Sequence, residues 1–112
     1  MHAFDVLGDP VRRRILEIIA PGGVTSGAVT DVINEEFGIS QPGISQHLRV
    51  LRENGFATVR QEGTRRFYSI DPQGFETVSD WLNHMEQFWT NKLAALETEI
   101  GRGKRRGNTT KS

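Results

Sequence analysis

Three sets of side chains in this sequence have types and spacings that support chemistry: Ser45 with His47, Asp80 with His84, and Gln46 with Arg49. Serine and histidine are the parts of a nucleophile and its base. Two residues apart on a helix their side chains diverge, however, and no acid is placed to orient the imidazole. Asp80 and His84 stand four apart and share a helix face, as two metal ligands would. Two ligands do not close a site, and the only other histidines are His2 and His47. A second chain related by symmetry would have to supply the rest, so the pair reads as a surface contact and no metal or cofactor is expected. Gln46 and Arg49 carry a different chemistry. An amide and a guanidinium present hydrogen-bonding forks that match the exposed edges of adenine and guanine, each worth roughly 1–3 kcal/mol of discrimination. With no Gly-rich phosphate loop and no paired-acid spacing, the sequence points to a binding protein rather than an enzyme.

The element that must position Gln46 and Arg49 is a helix over residues 41–54, capped by Ser40 and stopped by Asn54-Gly55. It has two faces. Ile44, Leu48 and Leu51 fall on one stripe at steps of four and three. Pro42, Ser45, Gln46 and Arg49 fall on the other, short and polar enough to enter the ~12 Å major groove of duplex DNA. Ser40, Gln41 and Ser45 lie near the helix N-terminus, where unpaired N–H groups favour phosphate.

The surrounding elements follow from caps and breakers. A short helix over 4–7 precedes Asp9-Pro10, a cap followed by a first-turn proline. The next helix runs to residue 20, with Val11, Ile15, Ile18 and Ile19 as its buried stripe, and Pro21-Gly22-Gly23 ends it. Thr25 or Ser26 caps a third helix to Phe37, with Val29, Val32, Ile33 and Phe37 inward, and Gly38 stops it. Two extended runs, 56–61 and 65–70, flank Glu62-Gly63-Thr64 and read as a hairpin. Pro72 opens a last helix to about Ile100. The predicted fold is mostly α with a small β-hairpin: a winged helix-turn-helix whose turn is Gly38-Ile39-Ser40. Arg60, Thr64, Arg65 and Arg66 surround the wing tip, within reach of a minor groove or the phosphate backbone.

Composition fits this reading once charge is mapped. The 112 residues carry a formal net charge of +0, unpromising for a partner of DNA. Yet residues 41–70 hold Arg49, Arg52, Arg60, Arg65 and Arg66 against only Glu53 and Glu62. Residues 72–100 hold Lys92 against Glu76, Asp80, Glu86, Glu97 and Glu99. An uneven map is the electrostatic footprint of nucleic-acid binding even where the total cancels. The absence of cysteine excludes disulfides and thiolate metal sites. No apolar run approaches the ~20 residues of a membrane span, and the start lacks signal-peptide character, so no membrane partner and a cytoplasmic location are expected. One domain is expected over 1–100, its dimerisation helix over about 72–100, with a basic, disordered tail over 101–112.

The last helix carries more apolar surface than so small a domain needs. Phe75, Val78, Leu82, Met85, Trp89, Leu93, Leu96 and Ile100 recur at three- and four-residue steps, and Trp81 and Phe88 widen the face. A stripe of that length is an aggregation liability unless a partner covers it. The same helix of a second copy would do so, with Phe4, Val6 and Leu7 alongside. The expected dimer interface is therefore Phe4, Leu7, Val78, Trp81, Leu82, Met85, Phe88, Trp89, Leu93 and Leu96. A dimer would also place two reading helices ~34 Å apart, on both halves of a site.

The runs FDVLGDPVRRRILEII and GISQPGISQHLRVLRENGFATVRQEGTRRFYSID resemble the ArsR/SmtB family of bacterial winged-helix repressors, over a span from about Phe4 to beyond Phe88. The resemblance implies a homodimer joined through first and last helices. It also implies an activity: occupying a near-palindromic operator, often in the protein's own promoter, until a signal releases it. Metal-sensing members place cysteines in or near the third helix, where this chain has TSGAVTDV. A second family site on the last helix needs a later His or acid partner, and no second histidine follows His84 there. The resemblance is thus to members without the cysteine site, and the small-molecule inducer, if any, stays unassigned. Two other readings remain open: a winged helix used as a protein-interaction module, and a protein that coats DNA without sequence preference.

Overall fold

The computed structural model describes residues 1–105, with side chains to residue 97. The elements in chain order are α1 (Ala3–Leu7), α2 (Pro10–Ile19), β1 (Val24–Thr25), α3 (Ser26–Phe37), α4 (Gln41–Glu53), β2 (Ala57–Glu62), β3 (Arg65–Ile70) and α5 (Pro72–Arg105). Met1–Val78 form one compact unit and Ser79 onward a second, which is the continuation of α5. The helix passes the expected end at Ile100 and takes in the first residues of the stretch expected to be a disordered tail. The rest of that stretch lies outside the described residues.

Local chemistry sets most boundaries. The Asp9 carboxylate accepts from the N–H groups of Val11 (2.8 Å) and Arg12 (3.3 Å), and Pro10 supplies the first helical φ. Burial pushes the Asp9 carboxyl up, but these two backbone bonds, with His47 and Arg12 nearby, hold it below its ordinary value. Thr25 Oγ1 accepts from Ala28 N–H at 3.1 Å. Gly38 closes α3 with a left-handed φ of 69°, its N–H donating to Asn34. Asn34 in turn donates its side-chain amide to the Ile39 carbonyl at 3.0 Å, fixing the turn between α3 and α4.

The hairpin is tighter than expected. Glu62 belongs to β2 and pairs with Arg65, so the loop is Gly63-Thr64 alone. Gly63 has φ 62°, and among the described residues no non-glycine residue has positive φ. A two-residue loop with only its first residue left-handed is the II′ arrangement, whose twist matches the flanking strands. The sheet has a third member that the sequence pattern did not reveal: β1, in the order β1-β3-β2, with Val24 opposite Tyr68 and Thr25 opposite Phe67. Gly23 N–H donates to Ser69 Oγ at 2.9 Å and anchors its entry.

The core joins α1–α4 to the sheet of this unit. Val6, Ile15, Ile19, Val29, Ile33, Ile44, Leu51 and Phe56 are fully buried, each contributing roughly 1.5–3 kcal/mol relative to exposure. Three expectations are corrected. Val6, expected beside the dimer surface, is sealed in the protomer core, because α1 lies on α2 with that side inward. Phe37, expected inward, is 41% exposed: it is the last residue of α3, where Gly38 turns the chain away. Leu16, outside the expected α2 stripe, is buried, because α2 packs against both α3 and α4 and so needs a wider apolar face.

Arg12 ties three helices together. From α2 it donates through Nε to the Val6 carbonyl (2.8 Å) and through Nη2 to the Asp5 carbonyl (3.0 Å), satisfying the open end of α1. Its Nη1 meets His47 Nδ1 of α4 at 3.4 Å. The arginine side chain is only 12% exposed. Arg12→Ala is expected to lower stability by about 2–3 kcal/mol, since charged hydrogen bonds are lost and the Val6 carbonyl loses its partner, while the Asp5 carbonyl keeps the Gly8 N–H. Urea denaturation followed by circular dichroism measures it; a loss under about 0.5 kcal/mol would show that α1 docks without this residue. A second guanidinium, Arg14, grips Glu36 of α3 through two bonds of 2.8 and 3.0 Å. That hydrogen bonding holds the Glu36 carboxyl below its ordinary range.

Candidate nucleic-acid interface

The polar face of α4 stands clear of the core. Ile44, Leu48 and Leu51 are buried, while Ser40, Gln41, Pro42, Ser45, Gln46 and Arg49 are not. The two faces arise because the apolar residues recur at steps that keep them on one side of a 3.6-residue turn. Ser40 occupies the N-cap with extended backbone, but its hydroxyl makes no cap hydrogen bond. Pro42, in the first turn, removes one of the N–H groups such a cap could use, and the hydroxyl is left available to an outside partner.

A cleft of about 550 Å³ lies between α4, the N-terminal half of α3 and the wing. Gln41, Ser45, Leu48, Arg49 and Arg52 form its α4 wall, Ser26, Gly27, Thr30 and Asp31 its α3 wall, and Thr64, Arg66 and Tyr68 its wing wall. Of the residues singled out from sequence, Gln41, Ser45, Arg49, Thr64 and Arg66 converge here. Ser40, Pro42, Gln46, Arg60 and Arg65 do not line it. Five hydrogen-bonding or charged residues were missed, one of them Tyr68 in the wing wall. Ser26, Thr30 and Asp31 come from α3, and only the packing of α3 on α4 brings them to the cleft. Arg52 was legible, since it stands seven residues after Ser45 and three after Arg49, on the same stripe.

The wing divides its arginines between two faces. Side chains alternate along a strand, and directly paired residues share a face. Arg60 is opposite Phe67 and Glu62 opposite Arg65, so these four lie on one side. Gln61 is opposite Arg66 and Val59 opposite Tyr68, so Arg66 lies on the other side, toward the cleft. Neighbours in sequence at the wing tip therefore address different surroundings.

The cations also differ in their partners. Arg49 Nε donates to Glu53 Oε2 at 3.0 Å, and Arg60 Nε to Glu62 Oε2 at 2.8 Å. The Arg60 guanidinium also lies 4.9 Å from the centre of the Phe67 ring. Among the described residues Arg52, Arg65 and Arg66 have no ion-pair partner. The interface thus holds three unneutralised guanidinium groups and two that are already engaged.

Elsewhere in the same unit, Leu7, Leu16, Ala20, Ile70 and Phe75 line an apolar groove of about 510 Å³, rimmed by Arg13 and Glu17. Phe4 is 38% exposed, and Leu7 and Val78 are partly buried against the protomer core. Trp81, Leu82, Phe88, Trp89, Leu93 and Leu96 of the second unit are each about half exposed, and Met85 less so. Among the described residues no group of three or more His, Cys, Asp or Glu could hold a metal ion, and no helix is long and apolar enough to cross a membrane.

Comparison with known proteins bears on this geometry. The helix-turn-helix domain family matches residues 7–60, from the end of α1 into the wing. The HTH-type transcriptional regulator Rv2034 of Mycobacterium tuberculosis is 34% identical over 92 residues, covering 82% of this chain and 79% of that protein. The transcriptional repressor SdpR of Bacillus subtilis is 30% identical over 81 residues, covering 72% and 86%. The crystal structure of an ArsR family transcriptional regulator, RHA00566, superposes with a TM-score of 0.68 at 25% identity, covering 79% of this chain and 87% of that one.

Proposed function

Since this chain belongs to the ArsR/SmtB family of winged helix-turn-helix transcriptional regulators, we propose that it acts in the cytoplasm as a homodimeric repressor of a near-palindromic operator. The observation that carries this reading is the cleft in which α4 and the wing converge, with Arg49, Arg52 and Arg66 around a set of short polar side chains. In this arrangement α4 lies in the major groove. Gln46 and Arg49 address base edges, Gln41, Ser45 and the free hydroxyl of Ser40 meet phosphates beside the helix N-terminus, and Pro42 gives close approach. Thr64 and Arg66 close on the adjacent backbone, with Arg60 and Arg65 on the outer side of the wing.

Dimerisation supplies the second half of the reading. The exposed apolar residues from Trp81 to Leu96 form a stripe that water disfavours, and Phe4, Leu7 and Val78 border the apolar groove or lie close to it in sequence. A second copy that covers the α5 stripe pairs two α4 helices with two half-sites. No catalytic role and no bound cofactor or metal belong to this reading, and it does not depend on an inducer.

The test is selection of the purified protein from a random duplex library at near-physiological salt. An inverted repeat with half-sites about one helical turn apart is the expected product. Recovery of no preferred sequence would favour a nonspecific coat protein or a protein-interaction module. On the recovered duplex, Gln46→Ala and Arg49→Ala are each expected to cost roughly 1–3 kcal/mol of discrimination at one base pair per half-site. Competition binding against single-base variants reads this directly; retention of full affinity and selectivity by Arg49→Ala would show that another face reads the bases.

A further inference from the structure

We propose that Glu53 is a specificity-determining positioning residue, which orients Arg49 for base recognition and cancels its attraction to phosphate. This rests on the reading of α4 as the base-contacting helix. Glu53 engages Arg49 only through Nε, at 3.0 Å. Among the described residues neither terminal nitrogen of Arg49 has a partner, so the fork that matches O6 and N7 of guanine stays open. The long side chain is held by one end while the other remains available.

Helix stability does not explain this pair. Glu53 is the last residue of α4, where the helix dipole disfavours an acid. The order, Arg before Glu at i and i+4, is the weaker of the two orientations. Both side chains are more than half exposed, at 62% and 54%, where such a pair adds little to folding. Nor does attraction to DNA explain it, because a carboxylate beside a groove-facing cation repels phosphate. What the pair does provide is direction. A free arginine pairs with whichever phosphate lies nearest, on any sequence. One tied at Nε, with its charge offset, gains most where a guanine meets its terminal nitrogens. Arg52 and Arg66, which have no such acid, supply the attraction common to all sequences. Glu62 serves as an internal contrast, because its partner Arg60 lies on the outer side of the wing, outside the cleft.

The experiment compares the full-length protein with Glu53→Gln, Glu53→Ala and Glu62→Gln. Affinities are measured by fluorescence anisotropy on two probes: the duplex most enriched by the wild-type protein and a random-sequence duplex of equal length. Salt is titrated on the random probe. Discrimination, the ratio of the two affinities, is expected to fall about three- to tenfold in Glu53→Ala, which forfeits part of a bidentate contact. Glu53→Gln loses the same charge but keeps an acceptor oxygen for Nε, and is expected to fall between wild type and Glu53→Ala. Both are expected to steepen the logarithmic salt dependence on random DNA by about one per Arg49 freed to meet phosphate. Glu62→Gln is expected to raise binding to both probes alike. Equal discrimination in wild type and Glu53→Ala would overturn the proposal. So would equal losses in Glu53→Gln and Glu53→Ala, or a matching loss in Glu62→Gln, since each would reduce the role to bulk charge. A wild-type protein that enriches no sequence would remove the premise itself, which separates the two failures.

Discussion

Phe56→Ala is expected to lower the unfolding free energy by about 3–5 kcal/mol, the range for emptying a fully buried aromatic site. Phe56 is 0% exposed and meets Phe75 edge to face, with ring centres 5.1 Å apart. Its backbone joins the elements on either side: the N–H donates to the Leu51 carbonyl at 2.9 Å, and its carbonyl accepts from Asp71 N–H at 3.0 Å. The ring also explains a glycine. A β-carbon at Gly74 would stand 2.7 and 2.8 Å from Phe56 ring carbons and 2.8 Å from the Gly55 carbonyl oxygen, which Gly74 N–H meets at 2.7 Å. Gly74→Ala alone is expected to cost about 1–3 kcal/mol through overpacking. The double variant is expected to cost less than the two single changes together, by about 1 kcal/mol. Removing the Phe56 ring makes room for the added methyl group, while its clash with the Gly55 carbonyl remains. Denaturant unfolding of all four proteins closes the cycle. Additivity within about 0.3 kcal/mol would show that the start of α5 does not depend on the fit between ring and glycine.

Arg66→Ala is expected to weaken binding to duplex DNA of any sequence by about ten- to a hundredfold at near-physiological salt. The logarithmic salt slope is expected to fall by about one for each phosphate left unneutralised, hence about two per dimer. Arg65→Ala is expected to have a smaller effect, since Arg65 shares its side of the wing with Arg60 and Glu62 and lies outside the cleft. Both residues are exposed, so neither change should move the melting temperature, and loss of binding cannot be ascribed to unfolding. Equal losses from the two substitutions would mean that DNA approaches the wing end-on rather than through the cleft.

That contrast between adjacent arginines marks the boundary of what could be read from the chain alone. The sequence determined features whose cause is local. Asp9-Pro10 and Gly38 set helix ends by bonds to their own neighbours, while the cap of α3, open between Thr25 and Ser26 from sequence, is Thr25. Ile44, Leu48 and Leu51 set the inward face of α4, and with it the outward placement of Ser45, Gln46 and Arg49, because a helix turns by a fixed angle per residue. Gly63 set the hairpin, and the excess apolar surface of α5 was visible in the many large side chains at helical steps.

Only the tertiary structure decided which of these surfaces meet. β1 is two residues long, too short for any periodicity, and exists because β3 offers it an edge. Ser26, Thr30 and Asp31 enter the cleft because α3 packs on α4. Arg65 and Arg66 face opposite sides of β3 by strand alternation, but only the packing of the wing beside α3 and α4 makes Arg66 the one that faces the cleft. Val6 is core rather than dimer surface, and Arg12 is a three-helix tie, because of how α1 lies on α2. Periodicity assigns each residue a side of its own element. It does not say what lies opposite, because that depends on packing between residues far apart in the chain, and it is this packing that turns a polar stripe and a basic hairpin into one cleft.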